Sequence, residues 1–219
     1  MLVQTFTMIA TIAAFLAVGS KPLTAAPAER PVTIVAFGDS LTAGFGLPAN
    51  EAFPAKLEAA LKAKGHAVAV VNAGVSGDTA TGGLARLDWS VPEGTDAVIV
   101  ELGANDMLRG IDPAITRRAL DEIVRRLTER RITVLLAGMR AIPNLGVTYV
   151  RGFEPIYGEI AAKYDVLLYP FFLDGIAGEA TFNQRDGVHP LATGVDKIVA
   201  GILPKVEELL SRTRNRRGP

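Results

Sequence analysis

The 219-residue chain contains no cysteine. That excludes disulfides, thiolate nucleophiles, cysteine-ligated zinc and a lipoprotein-type acylation site together. Histidine is almost as scarce. His66 and His189 are the only two, so any imidazole chemistry must use one of them. No H-E-x-x-H is present, which leaves few ligands for a zinc hydrolase, and neither a metal nor a cofactor is expected. An excess of either charge is missing too, with 23 Lys and Arg against 23 Asp and Glu. Such balance gives no reason to expect a nucleic-acid partner or a polybasic membrane patch. The basic end, S-R-T-R-N-R-R-G-P, reads as a frayed, solvated tail over 213–219.

An apolar run long enough to cross a bilayer comfortably is also lacking near the N-terminus. M-I-A-T-I-A-A-F-L-A-V-G covers only about a dozen residues. T-A-A-P-A follows, with Ala26 and Ala28 in the small-x-small spacing of a cleavage site. Residues 1–28 are therefore expected to be a secretory signal peptide, and the mature protein periplasmic or secreted without stable membrane insertion. No Lys or Arg precedes the apolar run, unlike the usual signal n-region. A start at Met8 or an uncleaved anchor are the alternatives.

What is present from Pro31 onward is an alternation of strand-like and helix-like stretches. V-T-I-V-A-F (32–37), H-A-V-A-V-V-N (66–72), D-A-V-I-V-E-L (96–102), I-T-V-L-L-A (132–137) and D-V-L-L-Y-P (165–170) predict five strands. Their apolar runs are nearly continuous, which implies burial on both faces and a parallel sheet. Between them the spacing predicts helices at about 51–64, where Phe53, Leu57 and Leu61 recur on one face, and at 79–87. The clearest helix is 113–130, started by Asp112 and Pro113 and striped by Ile115, Ala119, Ile123 and Leu127. A helical region at 148–163 is expected to break or kink at Pro155, and a final helix at 191–212 has a possible kink at Pro204. The expectation is one α/β domain over 29–212. It would be a doubly wound, three-layer α/β/α fold of flavodoxin-like type with a five-stranded parallel sheet.

Ligands of such sheets bind beyond the carboxyl ends of the strands. Four clusters fall on that edge: G-D-S-L (38–41), N-A-G-V-S-G-D-T (72–79), G-A-N-D (103–106) and D-G-V-H-P (186–190). Each has an ordinary reading. Ser40 alone fits a helix cap, Gly74 a turn, Asn105 an Asx-turn, and Asp186 with His189 a surface turn. Each also has a chemical one. A serine hydroxyl becomes a nucleophile when a base takes its proton. An imidazole needs a carboxylate to fix its tautomer. Gly74 N–H and the Asn105 amide can donate to an oxyanion. A phosphate cradle fits less well, since the loop has neither G-K-S/T nor G-x-G-x-x-G. Nor is it the G-x-S-x-G elbow. All four in this order make coincidence a poor account.

The blocks G-D-S-L-T-A-G (38–44), N-A-G-V-S-G-D-T (72–79), L-G-A-N-D (102–106) and D-G-V-H-P (186–190) resemble those of the SGNH hydrolases, or GDSL esterases and lipases. The likeness spans residues 31–210. Its flanking text is similar to the bacterial periplasmic thioesterase, lysophospholipase and arylesterase branch. The resemblance implies Ser40 as nucleophile, His189 as base and then acid, and Asp186 as its orienting partner. It implies an oxyanion hole of Ser40 N–H, Gly74 N–H and the Asn105 side chain, with Asp39 structural. A small acyl ester or thioester, or a lysophospholipid, would be the substrate. Met107, Leu108 and Ile111 would border the acyl site, and Ile142, Pro143 and the G-F-G-L run (44–47) are further candidates. His66 reads as a surface histidine. A carbohydrate O-deacetylase and a non-catalytic binding module are the competing readings.

Overall fold

The computed structural model describes residues 30–217. The expected signal segment, 1–28, lies outside them. Five parallel strands form one sheet: β1 (Val32–Gly38), β2 (Val68–Gly74), β3 (Ala97–Glu101), β4 (Thr133–Ala137) and β5 (Leu167–Tyr169). Their order is β2-β1-β3-β4-β5. β1, β3 and β4 are central and almost wholly buried, which their unbroken Val, Ile, Leu and Ala runs require. β2 departs from the expectation of burial on both faces. It is an edge strand, and Val71 and Asn72 are exposed.

Helices cover both sides of the sheet. α2 (Phe53–Ala63) packs with α8 (Ala192–Arg217), while α3 (Ala80–Ser90), α5 (Pro113–Glu129) and α7 (Ile156–Tyr164) pack side by side. The start of α5 follows from its sequence: Asp112 Oδ1 accepts from Ala114 N–H at 2.9 Å, and Pro113 needs no donor there. Phe53, Leu57 and Leu61 are fully buried on α2, as their spacing implies. Pro155 divides the 148–163 region into α6 (Val147–Phe153) and α7. Pro204 does not end α8, which runs on through it.

The tail is a correction. α8 continues to Arg217 rather than fraying after 212, and Thr213 is buried. The cause lies across the molecule. Asp96, just before β3, accepts from Thr33 N–H at 2.8 Å and from both Arg30 and Arg217. Burial pushes the Asp96 carboxyl up, but hydrogen bonds from Arg217 and then Arg30 outweigh it and hold it below the usual range. The basic end of the helix supplies the counter-charge to a carboxylate with little access to water.

Two short helices complete the functional edge: α1 (Ser40–Ala43) after β1 and α4 (Ala104–Leu108) after β3. Strand order reverses between β1 and β3, so the crevice of a doubly wound sheet opens where these helices begin.

Candidate active site

The turn out of β1 is built for close approach. A β-carbon at Gly38 would collide with the Thr42 hydroxyl and the Glu101 carboxyl. Asp39 then caps α1, its Oδ1 accepting from Leu41 N–H at 2.9 Å. Ser40 takes the first helical position and keeps 8% exposure. Its N–H has no acceptor among the hydrogen bonds of the described residues.

His189 comes from the loop before α8, 149 residues further along the chain. Its Nε2 lies 2.9 Å from Ser40 Oγ, and its Nδ1 lies 2.6 Å from Asp186 Oδ2. The local turn explains the second contact. Asp186 Oδ1 accepts from Val188 N–H at 2.9 Å and His189 N–H at 3.0 Å, which leaves Oδ2 for the ring. The His189 backbone N–H, then its ring, then Val188 N–H hold the Asp186 carboxyl down to about 2. The ring of Phe45 packs against the imidazole, centroids 4.5 Å apart. The 44–47 run thus meets the site at the histidine, a contact its sequence did not specify.

Gly74 and Asn105 reach the same edge but are engaged there. Gly74 N–H donates to Asn72 Oδ1 at 3.0 Å, and a β-carbon on Gly74 would strike the backbone of Ala43 in α1. Asn105 Nδ2 donates to Asp39 Oδ2 and to Asp78 O, both at 3.0 Å. Close packing and these bonds account for both residue types.

A cavity of about 210 Å³ runs from Ser40 and His189 over mostly apolar walls. Met107, Leu108 and Ile142 line it, together with Asn105. Ile111 and Pro143 do not. Ile111 lies beyond the end of α4, and Pro143 opens a 3-10 turn facing solvent. Met139, Phe171, Leu173 and Val188 line it without having been anticipated, because they come from loops whose convergence only the fold specifies. Arg140 also borders it, its guanidinium 5.0 Å from the Phe171 ring centroid. A depression of about 340 Å³ elsewhere is bordered by the ion pairs Arg117–Glu159 and Lys163–Asp121 and is lined by no serine, threonine or histidine. Among the described residues, no three His, Asp or Glu side chains converge as a metal ion requires.

Two buried charged side chains, Arg86 and Glu101, lie behind the site, and neither belongs to the sequence clusters at the strand ends. Arg86 of α3 donates to Gly38 O and Ala73 O, both at 2.8 Å, and to Asp78 Oδ2 at 2.5 Å. It clamps the carboxyl ends of β1 and β2 together. Its position in the stripe Ala80, Gly83, Arg86 and Leu87 was the available signal, a cation on a buried helix face. Glu101, the last residue of β3, is fully buried. His66 is remote from this edge and lies 3.1 Å from Glu207 Oε1.

Residues 36–197 match the model of the GDSL-like lipase/acylhydrolase family. The chain is 37% identical to the esterase TesA of Pseudomonas aeruginosa over 81% of its own length and 89% of the relative's. It is 38% identical to thioesterase 1/protease 1/lysophospholipase L1 of Escherichia coli K12, over 72% and 75% of the two chains. Among solved structures, AlinE4, described as an SGNH-hydrolase family esterase, is similar with 46% identity and a TM-score of 0.70. That match covers 84% of this chain and 98% of AlinE4. The chain belongs to the GDSL-like lipase/acylhydrolase family.

Proposed function

We propose that the protein is a serine esterase that hydrolyses small acyl esters, and thioesters or lysophospholipids of similar acyl size, through an acyl-enzyme. The observation that carries this reading is the unbroken chain Ser40 Oγ–His189 Nε2–His189 Nδ1–Asp186 Oδ2 at the mouth of an apolar cavity. In this reading His189 Nε2 takes the Ser40 proton as Oγ attacks the acyl carbon. Asp186, ionised because three donors face it, keeps the other ring nitrogen protonated and offsets the imidazolium charge. The tetrahedral oxyanion is met by Ser40 N–H. Gly74 N–H and Asn105 Nδ2 join it by exchanging Asn72 Oδ1 and Asp78 O for the new, fully charged acceptor. His189 then returns its proton to the leaving alcohol or thiol. Water enters by the same base to release the acid.

The cavity walls bear on the substrate. Met107, Leu108, Met139, Ile142 and Leu173 offer an acyl chain an apolar surface and few polar partners for sugar hydroxyls. That favours acyl esters over the O-deacetylase reading. The names of the two curated relatives include esterase and thioesterase activities, in keeping with this class. Export by way of residues 1–28 completes the proposal and places the enzyme in the periplasm or outside the cell.

The test is hydrolysis of a p-nitrophenyl ester series by single variants. Ser40→Ala and His189→Ala are each expected to lower kcat by about 10³-fold or more with folding intact, and His66→Ala to have little effect. Substantial turnover by Ser40→Ala would overturn the mechanism. Faster turnover of an acetylated sugar than of any acyl ester would overturn the substrate class.

A further inference from the structure

Behind the nucleophile loop lies a carboxyl that the mechanism above does not use. Glu101 ends β3 directly beside Gly38 of β1, its register partner, and has no exposure. Its Oε2 accepts from Thr42 Oγ1 at 2.7 Å, and Asp39 N–H points at the same oxygen from 3.4 Å. Thr42 and Asp39 flank Ser40 in the chain, and Thr42 is itself buried. Glu101 Oε1 is buried with no hydrogen-bond partner. Among the described residues no cation pairs with this carboxyl.

We propose that Glu101 is a positioning residue for the nucleophile, fixing Ser40 from beneath by binding the Thr42 hydroxyl and the Asp39 N–H on either side of it. The inference rests on the reading of Ser40 as nucleophile. Three observations converge on it. First, Gly38 has room for no β-carbon because the Thr42 hydroxyl and the Glu101 carboxyl occupy that space. The glycine of the G-D-S-L block thus serves the contact. Second, α1 has only four residues, too few to hold its own geometry by internal hydrogen bonds. Its direction must be set by side chains. Asp39 sets it at the cap and Glu101 sets it from below. Third, Asp39 lends its other oxygen to Asn105. A shift of α1 would move the nucleophile and that amide together.

Burial first, and then the neighbouring Asp39 carboxylate, push the Glu101 carboxyl well above the usual range, the direction that favours its uncharged form. Oε2 is the acceptor for Thr42 and Asp39, and Oε1 is the oxygen without a partner. A glutamine can reproduce that acceptor, whereas methionine keeps the volume and removes it.

The experiment compares Glu101→Gln, Glu101→Met, Thr42→Val and the Thr42→Val/Glu101→Met double variant, well below the Tm of each. It measures kcat and KM on a p-nitrophenyl ester and the rate at which a p-nitrophenyl alkylphosphonate labels Ser40 with release of p-nitrophenolate. Thr42→Val and Glu101→Met are each expected to lower kcat and the labelling rate by about tenfold or more, with KM within about twofold. The double variant should be no slower than Glu101→Met, because both changes break one contact. Glu101→Gln should keep kcat within about threefold of wild type while its Tm falls, a separation that a purely structural role would not give. Folded Thr42→Val with wild-type kcat and labelling rate would overturn the proposal, and it decides alone should Glu101→Met not fold. Glu101→Gln as slow as Glu101→Met would overturn it as well. Ser40→Ala is the control. If that variant stays active, the serine mechanism itself fails. If it is inactive while Thr42→Val runs at wild-type speed, only the role of Glu101 fails.

Discussion

Asp39 has two carboxylate oxygens, and both are engaged. One accepts from Leu41 N–H and caps α1, and the other accepts from the Asn105 amide. Burial pushes this carboxyl up to about 6. Asp39→Asn keeps the shape but turns one acceptor into a donor facing the donor of Asn105. The variant should lose about tenfold or more in kcat with little change in KM, measured on the same ester, as the Asn105 amide swings away. Unchanged kcat would show that Asn105 does not depend on Asp39. Asp186 carries a second prediction. Its carboxyl is held down to about 2, so it stays ionised above about pH 4. Asp186 should therefore add nothing to an acid loss of kcat/KM above that pH, whereas Asp39, pushed up to about 6, titrates within the range. A two-proton slope in the pH–rate profile of Asp39→Asn would mean that Asp186 titrates there too.

At the scale of elements, α8 and β3 are joined by Asp96 and Arg217. Removing Arg217 as Arg217→Ala is expected to cost about 1 kcal/mol in urea unfolding. Asp96→Ala should cost more, about 2 kcal/mol, because it strands the Thr33 N–H as well. The folded carboxyl lies below its unfolded value. Its stabilisation is therefore present above the unfolded value and lost as pH falls through the folded one. The gap between wild type and Asp96→Ala should close in acid. A gap independent of pH would contradict the ion pairing. This long contact is what the sequence concealed. R-T-R-N-R-R reads as a tail until Asp96, 121 residues away, is placed beneath Arg217. Strands and major helices were legible because each has its own period, run length or Asp-Pro start. The two short helices, Ser40–Ala43 and Ala104–Leu108, were not, because a turn or two of helix has no periodicity to read.

Across the whole molecule, the candidate site lies where the order of strands reverses. Ser40 follows β1, Asn105 follows β3, and His189 returns from near the end of the chain. Motif order and strand alternation in the sequence suffice to predict these residues on one edge. Their partners were less legible. Glu101 looked like one more strand residue and Arg86 like one more helix residue, since burial of a charge depends on the packing of distant segments. Ile111 and Pro143 were expected in the cavity by proximity in sequence alone, and the local chain turns them elsewhere. The proposed mechanism requires Ser40 to become covalently acylated. The direct measurement is intact-protein and peptide mass spectrometry after brief reaction with a p-nitrophenyl alkylphosphonate, which loses p-nitrophenolate as it labels, or with a slow ester. One adduct, on the peptide bearing Ser40, is predicted, absent from Ser40→Ala and slow to form in His189→Ala. An adduct on another residue, or ester turnover with Ser40 never modified, would contradict it.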